Sequence, residues 1–60
     1  MTRKFYVVCY SPRDGAAIYD VPRAVYNDRY SADLHRNRCI QTMNGDESEF
    51  YGYRVEARAS

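Results

Sequence analysis

The stretch Lys4-Phe5-Tyr6-Val7-Val8-Cys9-Tyr10-Ser11-Pro12-Arg13-Asp14-Gly15-Ala16-Ala17-Ile18-Tyr19-Asp20-Val21 decides the fold. From Lys4 to Tyr10 the residues are β-branched or aromatic at nearly every position, which predicts a strand covered on one face and at least half covered on the other. Pro12 to Gly15 is a turn: proline presets φ at its first central position and glycine accepts φ > 0 at its end. A second strand is expected through Ala16 to Val21, closing a hairpin with the first. Pro22 has no amide donor, so this strand is an edge or is bulged there. Extended structure then resumes through Ala24-Val25-Tyr26.

Beyond the hairpin, Asn27 and Asp28 are good helix N-caps, with Ser31 a second candidate, and a helix is expected to run to about Met43. Ala32, His35 or Arg36, Cys39, Ile40 and Met43 recur at three- and four-residue intervals, a stripe suited to packing on a sheet. Asn44-Gly45 reads as a stop in which glycine takes the left-handed conformation. Asp46 to Glu49 is an acidic, solvated loop. Phe50 to Ala57 alternates in its second half like a strand with one wet face. The order strand-strand-helix-strand predicts an α+β fold: a small three-stranded antiparallel sheet of order 2-1-3 with one helix on one face. The alternative replaces the end of the second strand with a short helix from Val21 to Arg29.

Sixty residues allow one domain, 1–60, and a chain of this length buries only roughly 60% of its unfolded surface. Leu, Ile, Val and Phe number ten, with seven Tyr and six Ala supplying much of the other apolar surface, so the core must be thin. Nine basic against eight acidic residues give a net charge of +1, which argues against a strongly basic nucleic-acid binder. The N-terminal apolar run is too short for a signal peptide and reads as a strand, and no stretch approaches the ~20 apolar residues of a membrane helix. Two cysteines, Cys9 and Cys39, fit a reduced, cytoplasmic protein better than a disulfide scaffold.

One helix covers one face of such a sheet, so the other face meets water or a partner. With Phe5, Val7 and Cys9 toward the helix, Tyr6, Val8 and Tyr10 point away, because strand side chains alternate. In the last strand Tyr51, Tyr53 and Val55 are expected inside, and Phe50, Arg54 and Glu56 outside. Hairpin register places Ile18 beside Val8, and a one-residue slip would reverse that assignment. The candidate partner-binding residues are therefore Tyr6, Tyr10, Ile18, Phe50 and Arg54, a composition enriched in interface hot spots. A two-fold homodimer stacking two open faces is one way to cover them.

Catalysis is not expected. The lone His35 with Cys39 one turn on has the spacing of a thiolate dyad, yet no orienting group or oxyanion motif accompanies it. His35, Cys39 and Cys9 lack the paired spacing of a zinc site, the acidic loop lacks a calcium pattern, and no cofactor is implied. Arg23, Arg29 and Arg38 are candidate nucleic-acid contacts which, with the tyrosines, give a sheet-platform single-strand binder as the alternative function.

A 60-residue chain opening with Lys4-Phe5-Tyr6-Val7-Val8, with one hairpin, one helix, one closing strand and no catalytic constellation, resembles in format the short accessory proteins of bacteriophages. That resemblance implies binding to a host enzyme or defence complex and its inhibition or modulation by blockade or charge mimicry. It carries over no residue roles.

Overall fold

The structure, a computed structural model, describes residues 2–59. Strand β1 (Arg3–Tyr10) is central, flanked by β2 (Ala17–Tyr26) and β3 (Gly52–Ala59), both antiparallel to it, in the order β2-β1-β3. The expected α+β architecture is the one observed. The hairpin turn closes where Gly15 adopts φ 74°, which lets its N–H donate to the Ser11 carbonyl at 2.7 Å, while Asp14 Oδ1 accepts from the Ala16 N–H at 3.1 Å.

Pro22 has the predicted consequence twice over, since β2 is an edge strand and is bulged. Tyr6 pairs with Val25 and Val8 with Asp20, so the four residues from Val21 to Ala24 face Val7 alone. The detour carries Arg23 to φ 60°, a conformation that costs a side-chain-bearing residue roughly 1–2 kcal/mol, and delivers Ala24 into the core. The alternative helix from Val21 to Arg29 does not form, as this segment stays extended to Tyr26.

Helix α1 (Arg29–Thr42) starts at the expected cap: Asp28 accepts from both the Ser31 N–H (2.7 Å) and the Ser31 hydroxyl (3.0 Å). It ends differently from expectation. Met43 leaves in an extended conformation, and Gly45 does not take a left-handed φ. Ala32 is the fully buried helix residue, and its small side chain brings α1 down onto Val7 and Ala24. Phe5, Val21, Tyr26, Tyr53 and Val55 pack around these three. Tyr53 lies in the ladder opposite Cys9, and its burial together with the Tyr19 phenol beside it pushes its hydroxyl well above the ordinary range.

Residues after the helix form a single 3-10 turn, η1 (Glu47–Glu49), where the sequence predicted an open loop. Phe50 and Tyr51 both return their N–H groups to the Glu47 carbonyl, at 3.0 and 2.8 Å. That delays β3 to Gly52, so neither aromatic belongs to the strand and period-two alternation does not place them. No helix among the described residues is long and apolar enough to cross a membrane.

Candidate functional site

The face of the sheet away from α1 is built on alternate β1 residues, Tyr6, Val8 and Tyr10, as the alternation predicts. Across the β1–β3 ladder stand Glu56 opposite Tyr6 and Arg54 opposite Val8; across β1–β2 stands Asp20 opposite Val8. The result is not a bare aromatic patch. The Arg58 guanidinium lies 4.6 Å over the Tyr6 ring centroid and that of Arg54 5.2 Å over Tyr10, each drawn by the negative ring face.

Two carboxylates fix both cations. Arg58 binds Asp20 through two N–H···O bonds of 2.8 and 3.0 Å, reaching across the sheet from β3 to β2. Glu56 stands between the arginines and accepts from Arg54 Nε at 2.9 Å and from Arg58 Nη2 at 3.1 Å. Arg54 also donates to the Gly15 carbonyl at 3.1 Å, tying the array to the hairpin turn. Arg58 holds both carboxyls below their ordinary range, Glu56 with help from Arg54, and its own guanidinium is raised in return. Under this canopy Val8 is 0% exposed, as fully buried as Val7 on the helix side. Arginine stems cover apolar surface while their heads stay at the water, which is how a face with no helix comes to bury a valine.

The structure brings Tyr6, Tyr10 and Arg54 together on this face. It corrects the register expected for Ile18: Asp20 takes the place beside Val8, and Ile18 falls in a second irregularity, between the Cys9↔Tyr19 and Tyr10↔Ala17 pairs. Phe50 lies off the sheet, where Arg13 of the hairpin turn sits 5.1 Å above its ring. Asp20 and Arg58 were missed by sequence reasoning. The alternation Arg54-Val55-Glu56-Ala57-Arg58 was the available signal for Arg58; Asp20 required knowing how the bulge resets the register.

Arg23, Arg29 and Arg38 do not join the tyrosines. Arg23 is in the bulge, and Arg29 and Arg38 are on α1, across the sheet from Tyr6 and Tyr10. Arg38 borders an open recess of about 290 Å³ with Tyr26, Ser31, Leu34 and His35. There the Tyr26 hydroxyl and His35 Nδ1 share a 2.6 Å hydrogen bond, so the imidazole is engaged with β2 rather than with Cys39. Burial, with Cys9 nearby, pushes the Cys39 thiol up, the opposite of what a thiolate nucleophile needs. Among the described residues no group of three or more His, Cys, Asp or Glu is placed to hold a metal ion.

In comparisons with known proteins, no family model, no curated protein and no solved structure matches this chain.

Proposed function

We propose that the chain is a non-catalytic interaction module that binds a host macromolecular complex and inhibits or modulates it by occupying one of its protein surfaces. The observation that carries this reading is the open face itself, on which Tyr6 and Tyr10 each lie beneath a guanidinium that carboxylates hold in place. Tyrosine and arginine dominate interface hot spots. Side chains already ordered by their neighbours lose less freedom when a partner docks, so more of the contact energy survives as affinity. The face carries both signs of charge, with Lys4 directly across from Arg58 adding a third cation to two carboxylates, and suits a partner surface of mixed charge. The acidic Asp46 to Glu49 segment would steer association toward a basic site more than add affinity.

The mode of action, steric blockade of a host complex, follows the format shared with short bacteriophage proteins, and two free cysteines suit a reducing cytoplasm. A single-strand nucleic-acid platform draws less support from the same geometry. The guanidinia already cover the ring faces on which bases would stack, and Arg29 and Arg38 stand across the sheet.

The test is affinity capture from host lysate with and without nuclease, using wild type and a Tyr6→Ala/Tyr10→Ala variant whose fold is checked by circular dichroism. The expected result is a stoichiometric protein that survives nuclease and is lost with the folded double variant. A partner retained by that variant would remove the open face from the account, and loss on nuclease treatment would move the function to nucleic acid.

A further inference from the structure

The two edges of the sheet are unlike. β2 is blunted by Pro22, by the left-handed Arg23 and by two breaks in register, devices that keep an edge from pairing with another strand. β3 carries none of them. All eight of its residues pair with β1 without a shift, from Arg3↔Ala59 to Tyr10↔Gly52, and among the described residues no strand lies on its other side. Its outward backbone groups form an edge with no break in register.

The side chains of β3 are self-complementary about Val55. An antiparallel copy related by a two-fold axis at Val55 sets Arg54 against Glu56 of the second copy, and Glu56 against its Arg54, on the open face. On the helix face it sets the large Tyr53 ring against the small, exposed Ala57. At the strand end it sets Arg58 against Gly52, the residue whose missing Cβ leaves room for the Tyr10 ring 2.6 Å from where that atom would be. Because opposed residues share a face, neighbouring registers shift by a whole residue in the centre. Centring on Glu56 opposes Glu56 to itself and Arg54 to Arg58; centring on Arg54 opposes Arg54 to itself. Like charges directly opposite destabilise a pair, so charge selects the Val55 register over both. Centring on Ala57 leaves only residues 55–59 to pair.

We infer that the protein forms a two-fold homodimer by antiparallel pairing of β3 with β3 of a second copy, centred on Val55. The product is a six-stranded sheet with both blunted β2 edges outermost, both helices on one face and both arginine-tyrosine canopies side by side on the other. It differs from a dimer that stacks open faces, because it leaves Tyr6 and Tyr10 accessible. It stands or falls independently of the proposed function, since it rests on the edge and not on the face.

Sedimentation equilibrium of the wild type, Glu56→Arg and the swapped Arg54→Glu/Glu56→Arg tests it, with contacts between isotope-labelled and unlabelled copies read by NMR. The expected wild-type mass at high concentration is twice the 7.0 kDa of one chain, with intermolecular contacts at Val55. Glu56→Arg is expected to weaken the dimer about tenfold or more by opposing two pairs of cations, and the swap to restore it. A wild type that sediments as a single chain throughout, or a dimer without intermolecular contacts at Val55, would overturn the inference even if Glu56→Arg failed to fold.

Discussion

Val8→Ala is expected to destabilise the fold by about 2 kcal/mol, as much as Val7→Ala, although only Val7 faces the helix. Both valines are 0% exposed. Removing two methyl groups forfeits roughly 0.8 kcal/mol each in transfer free energy, with a further term for the space left behind. Val7 is held by Ala24, Ala32 and the side chains around them. Val8 is held by the canopy, being opposite Arg54 on one side and Asp20 on the other, with Tyr6 and Tyr10 flanking it along β1. In a domain this small, 2 kcal/mol lowers Tm by roughly 10 °C. Chemical denaturation of both variants measures it. A Val8→Ala cost below about 0.5 kcal/mol beside a full cost for Val7→Ala would mean that the arginines collapse freely onto the gap and form no packed layer.

Arg58→Ala is expected to have the second-largest effect on stability, smaller than that of Val8→Ala, because one side chain serves three partners. It loses the contact over Tyr6, the paired bonds to Asp20 and the bond to Glu56. Its side chain is 38% exposed, so each ion pair is screened by water and the packed stem accounts for a good part of the total. The substitution also changes the acid limb of stability. Asp20 and Glu56 bind protons less readily folded than unfolded, so their contribution is complete above the ordinary carboxylate range and is lost as pH falls through their lowered native values. Without Arg58 both return toward ordinary values, and the wild-type loss of stability as pH falls below the ordinary carboxylate range flattens. An unchanged slope in Arg58→Ala would show that these carboxylates do not depend on that guanidinium.

The hairpin, the Asp28 cap, the helix and the sheet order were legible because each is written locally: Pro12 and Gly15 punctuate the turn, Asp28 precedes Ser31 at the capping distance, and the direction of each strand follows from its connection. The division of β1 into Tyr6, Val8 and Tyr10 against Val7 and Cys9 was legible too, since period two admits no other split; that the second set meets the helix followed from the packing of Val7 against Ala32. What escaped depends on distant residues. Pro22 announces a bulge but not its size, and a bulge spanning Val21 to Ala24 is what aligns Asp20 with Val8 in place of Ile18. Phe50 and Tyr51 read as strand by composition, whereas two backbone bonds to the Glu47 carbonyl hold them in a turn. The tyrosines and Arg54 announced an amphipathic aromatic face; that Arg58 would join Arg54 over the rings, with Asp20 and Glu56 holding both, followed only from the pairing of the strands.

The most direct test of that ordered canopy is the exchange rate and chemical shift of the arginine Nε–H signals in isotope-labelled wild-type protein. Arg54 Nε donates to Glu56, and the Arg54 and Arg58 guanidinia lie over Tyr10 and Tyr6, so both signals are expected to be displaced by ring currents and to exchange more slowly than that of Arg29 on the helix. Signals of Arg54 and Arg58 that coincide with Arg29 and exchange as fast would mean that the guanidinia wave free in water, leaving Val8 and both phenols without the cover on which this account depends.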